Sequence, residues 1–262
     1  MRRFDRVAMQ LAKESLPLCE VAFRLGSIEA LEMCDVEDLE QLRLMGLPLV
    51  KTSETYVTLS TRLTPHEAQR YCVVDIECSA SDPAKGQVIE VGAVMLEGRQ
   101  EIGRFESLVH TKEIPPVIET LTGITLADVQ DAPSLGSVLE AFRLFLGDAV
   151  FVAHNVGFDY YFLSASFEQQ GFGPMLNRKL CTIDLAQKTI ESERYGLDFL
   201  KEVLGIQEEG RHRALADAKS AAHIFLAALD NVPPEVCTAE DLIYFSKPNP
   251  KKRKAKSSKK ES

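Results

Sequence analysis

Two carboxylates stand two residues apart in Tyr71-Cys72-Val73-Val74-Asp75-Ile76-Glu77-Cys78. The run before them is apolar and rich in strand formers, so it reads as a buried strand. On a strand alternate side chains share a face, and Asp75 and Glu77 therefore project together. Like charges at that spacing repel, and near a core they need something positive between them. A divalent cation that prefers oxygen ligands suits the pair. A solvated edge strand would show the same alternation, so what matters is whether the rest of the chain supplies partners.

It supplies three. A strand expected at Ala149–Ala153 runs into His154-Asn155-Val156-Gly157, and helical spacing then extends from Phe158 to Gln169. On that helix Asp159 shares a face with Phe162 and Leu163, which directs its carboxylate toward the core. The helix dipole favours an acid in a first turn, but it does not account for an acid on the apolar face. The helix expected over Ala214–Leu229 repeats the pattern, with Asp217 in line with Ala214, Ala221 and Ile224. His212 stands just before it in the run Gly210-Arg211-His212-Arg213, where an imidazole can serve as a mobile general base. Four inward carboxylates and a loop histidine suit hydrolysis of a phosphodiester by two Mg²⁺ or Mn²⁺ ions held about 4 Å apart, which carry the charge that develops on phosphate.

The elements that must position these groups form an α/β pattern. Strands are expected at Tyr71–Cys78, Gln87–Leu96 and Gly103–His110, joined by short loops as in an antiparallel meander. Helices follow around Pro116–Leu121 and Ser134–Phe145, then the strand and helix already described, a fifth strand over Leu180–Leu185, and helices near Leu197–Leu204 and Ala214–Leu229. Together these make a mixed five-stranded sheet with helices on both faces.

Residues 1–65 read as a separate small α+β module. Its helices run from Phe4 to Ser15, from Pro17 to a stop at Gly26, and from a cap at Asp35 to Gly46. Strands at Leu49–Thr52 and Tyr56–Ser60 complete a winged-helix-like layout. The third helix carries Asp35, Glu37, Asp38 and Glu40, which phosphates would repel, so protein–protein or intramolecular docking is favoured over duplex binding. A linker helix or boundary is expected over Thr64–Arg70. The catalytic unit then spans 66–232, an extension 233–246, and a disordered basic tail 247–262. Asp241-Leu242-Ile243-Tyr244-Phe245 reads as a capping helix over the core rather than a clamp-binding sequence.

The formal net charge of −9 conceals an asymmetry, because the last sixteen residues carry a net +7 and the remaining 246 carry −16. An acidic body does not grip nucleic acid by bulk charge, whereas it does suit carboxylates gathered at a metal. The tail at Lys251-Lys252-Arg253-Lys254 could neutralise phosphates, bind a partner or, in a eukaryote, act as a nuclear address, and a plain solvated end fits it equally well. No window approaches the roughly eighteen apolar residues of a membrane span. The six cysteines show no metal-finger spacing, which fits reduced thiols and a cytoplasmic protein.

The ordered segments Asp75-Ile76-Glu77, His154-Asn155-Val156-Gly157-Phe158-Asp159 and His212-Arg213-Ala214-Leu215-Ala216-Asp217 resemble the three motifs of the DnaQ-like DEDDh 3′–5′ exonucleases. Gly123-Ile124-Thr125 resembles a further segment of that family. The likeness covers about Tyr71 to Asp230 and is nearest to the proofreading epsilon subunit of bacterial DNA polymerase III. It implies a ribonuclease H-like fold and release of nucleoside 5′-monophosphates from DNA. It also implies a role for Asp75, Glu77 and Asp217 at one ion, for Asp75 and Asp159 at a second, and for His212 as base. Contact with a frayed or single-stranded 3′ end would come from the backbone at Cys78 and from Ile124, His154, Asn155 and Phe158, and a polymerase catalytic subunit is the implied partner. Where the family has Thr after the motif-one Glu, this chain has Cys78, a weak donor that would expose the site to oxidation. An RNA 3′-end-processing exonuclease, a non-catalytic scaffold in a polymerase complex and a winged-helix DNA-binding regulator remain the alternatives.

Overall fold

The computed structural model describes residues 3–32, 34–208 and 212–248. The N-terminal module contains α1 (Arg3–Leu11), β1 (Leu16–Pro17), α2 (Leu18–Gly26), α3 (Leu39–Leu44), β2 (Leu49–Lys51) and β3 (Tyr56–Leu59). Its strands form an antiparallel sheet in the order β1-β3-β2, one strand more than expected, because Leu16 and Pro17 pair with Val57 and Tyr56 before α2 begins. Asp38, not Asp35, caps α3, accepting from the amides of Glu40 and Gln41. Asp35 instead accepts from the amides of Glu37 and Asp38, a turn that Asp forms as readily as a cap. Leu11, Leu25, Leu42, Leu47 and Leu59 build a core of the module's own, which Leu176 from the second unit joins.

The second unit comprises β4 (Arg70–Cys78), β5 (Val88–Glu97), β6 (Gln100–Leu108), α4 (Pro116–Thr122), α5 (Leu126–Val129), α6 (Leu135–Leu146), β7 (Val150–Ala153), α7 (Val156–Gln169), β8 (Lys179–Cys181), α8 (Thr182–Thr189), α9 (Leu197–Leu204), α10 (Ala214–Leu229) and α11 (Ala239–Ser246). The sheet order is β6-β5-β4-β7-β8, antiparallel through the meander and parallel from β4 to β7 to β8. The expected strand over Leu180–Leu185 stops at Cys181, and residues from Thr182 onward form α8. A short apolar run does not distinguish a strand from a buried helix by periodicity alone. Helix α7 starts at Val156, two residues earlier than its spacing suggests, because Asn155 takes the left-handed conformation (φ 78°) that turns the chain into it.

Alternation along β4 assigns the two faces of the sheet. Cys72, Val74, Ile76 and Cys78 pack with Val138, Leu139 and Phe142 of α6 and Phe162 and Leu163 of α7. Tyr71 and Val73 pack on the other side with Ala218, Ala221 and Phe225 of α10. Asp75 and Glu77 continue that second register, so β4 presents both carboxylates on the α10 side.

The expected linker helix is a single 3₁₀ turn, His66–Ala68. Its approach is paired to the segment before α11, with Pro65 bridged to Thr238 and the His66 amide donating to the Cys237 carbonyl. Leu242 and Ile243 of α11 are buried in the α10-side core, so this helix covers the core, as its sequence suggested. Glu240 accepts from Arg178 Nε and Nη2 (2.6 and 2.7 Å) and from Thr61 Oγ1 (2.8 Å). Removing one member of a buried, hydrogen-bonded ion pair strands the other. Glu240→Ala is therefore expected to cost about 3 kcal/mol in urea unfolding, with Glu240→Gln costing less. Fourteen residues of the basic tail, and Gly210 and Arg211 of the histidine loop, lie outside the described residues.

Candidate active site

The carboxylates meet at one end of the sheet. Asp217 occupies the first turn of α10, whose body packs across β4 and β5. Asp159 occupies the first turn of α7, which begins where β7, the parallel neighbour of β4, ends. A cleft of about 250 Å³ is lined by Asp75, Glu77, Asp159, Asp217 and His212, together with Ile76, His154, Asn155, Phe158, Leu197 and Asp198. Ligand atoms of Glu77, His212 and Asp217 all lie within 4.8 Å of one another. His212 has a φ of 58°, and its amide donates to Asp217 Oδ2 (3.2 Å).

Without a cation these groups strain against one another. Burial, then the charges of Asp159, Asp217 and Glu77, push the Asp75 carboxyl well above the ordinary range. Burial and the charges of Glu90, Asp217 and Asp159 raise Glu77 to about 8, against the opposing pull of Arg213. Asp159 and Asp217 are raised as well, mainly by burial. Acids that keep their protons this far up are acids lacking a positive partner. Hard oxygen donors crowded into one cleft fit Mg²⁺ or Mn²⁺ better than a soft metal. The donor set and its electrostatics therefore fit a divalent-cation site.

Of the residues expected at the substrate, His154, Asn155 and Phe158 line the cleft. His154 Nδ1 is bonded to Thr182 Oγ1 (2.8 Å), and burial lowers this imidazole to about 4, so it is neutral and held in place. Ile124 is 2% exposed and packs with Ile89, Ile114 and Val129, which makes its side chain core and not cleft lining. Cys78 is likewise buried in the α6–α7 side core, and burial drives its thiol upward, away from the reactive thiolate. The sensitivity to oxidation expected from Cys78 is therefore corrected. A thiol reagent is expected to label the exposed Cys19 and Cys237 in the native protein and to reach Cys78 only after denaturation, as peptide mass mapping would show.

Three residues of the site were not evident from the motifs. Thr182 sits where a strand was expected. Asp198 lies on α9 beside the cleft and bears on Asp217 electrostatically. Glu90 is fully buried and directly opposite Glu77 across the β4–β5 ladder. Its signal was a lone carboxylate within Val88-Ile89-Glu90-Val91, a run otherwise apolar enough to be buried on both faces.

Known proteins are similar to this chain in sequence and in fold. The PolC-type DNA polymerase III of Staphylococcus haemolyticus is 37% identical over 159 residues, which is 60% of this chain and 11% of that protein. Its counterpart from Staphylococcus aureus strain bovine RF122 / ET3-1 is 36% identical over the same length. The chain thus spans about a tenth of the length of the curated relatives it matches. Among solved structures, E. coli exonuclease I in complex with a dT13 oligonucleotide superposes with a TM-score of 0.56 at 16% identity, over 62% of this chain and 41% of that one. Exonuclease X in complex with 5′ overhanging duplex DNA gives 0.51 at 22% identity, over 68% of this chain and 99% of that one. At such identities the structures speak for a shared fold, the mixed α/β sheet of the ribonuclease H-like exonucleases. The RNase_T exonuclease model matches residues 72–225, which takes in all three carboxylate motifs and the strands and helices that bring them together, and the chain belongs to this exonuclease family.

Proposed function

We propose that this chain is a 3′–5′ exonuclease of DNA that releases nucleoside 5′-monophosphates from single-stranded or frayed 3′ ends and proofreads beside a DNA polymerase catalytic subunit in the cytoplasm. The observation that carries the reading is the gathering of Asp75, Glu77, Asp159, Asp217 and His212 around one cleft. In this reading Asp75, Glu77 and Asp217 hold one Mg²⁺ or Mn²⁺, and Asp75 and Asp159 a second. The ions, when bound, supply Lewis-acid polarisation of the scissile phosphate and offset its charge. His212 takes the proton of the attacking water. Phe158 and Asn155 meet the terminal nucleotide at the mouth of the cleft, Phe158 offering a face that any base can stack on, and His154 steadies that wall from its bond to Thr182. The DNA substrate and the polymerase partner are supported by the likeness to PolC-type DNA polymerase III. Residues 66–232 form the catalytic domain, with 233–246 and 247–262 as extension and tail. Residues 1–65 dock a protein partner, because Glu37, Asp38 and Glu40 around α3 disfavour a duplex.

The test is mononucleotide release from a 3′-mismatched primer–template and from an RNA of the same sequence, in Mg²⁺ and in EDTA, for the wild type and Asp75→Ala. Metal-dependent cleavage of the mismatched DNA, lost in the variant, is the expected result. Faster cleavage of RNA would overturn the DNA assignment. Absence of cleavage from folded protein, with Mn²⁺ also supplied, would overturn the catalytic one in favour of a scaffold.

A further inference from the structure

Glu90 faces the same side of the sheet as Glu77, two residues along β5 from Gly92, yet it has no place among the cation ligands proposed above. Its carboxylate is already engaged. Arg213 Nε donates to both oxygens (3.0 and 3.3 Å) and Nη2 to Oε1 (2.8 Å), while the Ala214 amide donates to Oε2 (2.9 Å). A two-pronged guanidinium–carboxylate pair fixes orientation as well as distance. Glu90 therefore ties β5 to the first turn of α10 and to the residue that follows His212.

The backbone at His212 needs such a tie. Its φ of 58° is uncommon for a non-glycine residue, although histidine adopts it more readily than most, and it persists where its surroundings favour it. Two contacts bracket it. On one side its amide is bonded to Asp217 Oδ2 (3.2 Å). On the other, Arg213 is clamped onto a carboxylate that is 0% exposed and anchored in the central ladder opposite Glu77. Loosening the second contact would leave His212 with the Asp217 bond alone to hold it in the left-handed conformation beside Glu77 and Asp217.

We propose that Glu90, through its ion pair with Arg213, is the positioning residue for His212, holding the imidazole over the cleft without touching substrate or cation. The inference rests on the proposed role of His212 as general base, and the test separates the two. Glu90→Gln keeps an acceptor for the Ala214 amide but cannot form the ion pair. Its single-turnover cleavage of single-stranded DNA is expected to fall on the order of 30-fold, a fraction of what a general base contributes. Its affinity for the same DNA in Ca²⁺ is expected to stay close to wild type, and its Mg²⁺ half-saturation to change by no more than about threefold, since one charge that bears on Glu77 and Asp75 is removed. Arg213→Lys, which keeps charge but not the fork, is expected to lose less than Arg213→Gln. In a His212→Ala background Glu90→Gln is expected to add less than about a twofold further loss, because two residues acting as one unit are not additive.

An equal Glu90→Gln penalty in both backgrounds, or a matching rise in Mg²⁺ half-saturation, would assign Glu90 a general structural role and overturn the proposal alone. No loss on Glu90→Gln in the wild-type background would do the same. Near-wild-type activity of His212→Ala by itself would remove the general-base reading and the proposal together.

Discussion

Asp75→Asn is expected to abolish metal-dependent nucleotide release while making the metal-free protein more stable. Asp75 stands where burial and the charges of Asp159, Asp217, Glu77 and Glu90 all disfavour its ionised form. An amide of the same shape removes one buried charge from the set and relieves the others. The sign of the pH dependence follows. A carboxyl whose folded pKa is raised binds its proton more tightly in the native state than in the unfolded chain. Stability is then full below the unfolded value, near 4 for a free carboxylate, and is lost as pH rises toward the folded value. Glu77, raised to about 8, loses its contribution as pH rises to that value, and Asp75, raised well above the ordinary range, adds to the loss. In EDTA the wild type is expected to lose melting temperature progressively as pH rises from about 4 to about 8. Asp75→Asn is expected to lose less across the same interval and to be more stable by about 1–3 kcal/mol at its upper end. Saturating Mg²⁺ is expected to stabilise the wild type by about 2–4 kcal/mol and the variant far less, since the amide is a poorer ligand. Turnover of the variant is expected to fall on the order of 1,000-fold or more. Melting scans with and without Mg²⁺ check the first set, and radiolabelled 3′-end release checks the second. A variant that melts below the wild type throughout the EDTA series would show that Asp75 stabilises the fold, contrary to this account.

The parts of the site that could be read from the sequence are those where a local pattern conflicts with its surroundings. Asp75 and Glu77 end an apolar strand, and Asp159 and Asp217 sit on the apolar faces of helices. Each is a carboxylate where the period calls for a hydrophobe, and the structure places all four on one cleft. Where residues obeyed their surroundings, the sequence was silent or misleading. Ile124 matched a family segment by position, but an isoleucine among Ile89, Ile114 and Val129 packs as core. Thr182 and the start of α8 read as strand, because Leu180 to Leu185 is apolar at either period. Asp35 and Asp38 are chemically equivalent as caps, and the choice of Asp38 is made by backbone conformation, which composition does not encode.

Glu90 is the instructive omission. It too is a carboxylate in an apolar strand, yet its partner lies 123 residues away at Arg213, a separation that no periodicity bridges. Only the β4–β5 register, which sets Glu90 against Glu77 and Gly92 against Asp75, shows that the meander offers α10 a fixed carboxylate and a gap side by side. Strand register is decided by tertiary packing, and here the geometry of the histidine loop depends on it.

That gap leaves no room for a side chain at Gly92. Gly92→Ala in a strand interior would ordinarily be neutral or stabilising, since the added methyl limits the unfolded chain. At Gly92 the new Cβ would overlap the backbone at Ala214 and Leu215, and main chain, unlike the end of a long side chain, has no rotamer in which to retreat. Either the first turn of α10 lifts off the sheet or β5 bends, and both responses move the residues attached there. Overpacking of this kind costs about 1–3 kcal/mol in unfolding free energy. The larger consequence falls on the site, because α10 carries Asp217 in the turn that must shift, and the His212 amide is bonded to Asp217. Displacement of reacting groups by about 1 Å costs on the order of 100-fold in rate. Gly92→Ala is therefore expected to remain folded, to melt a few degrees lower, and to lose turnover far out of proportion to that loss. Gly103→Ala, on the neighbouring strand β6, is the matched control: its Cβ meets only Phe145 and Met95 side chains at 3.5 and 4.0 Å, and near-wild-type turnover is expected. Equal activity of the two variants would mean that α10 can withdraw from β5 without carrying Asp217 and His212 with it, and that the close approach at Gly92 serves packing alone.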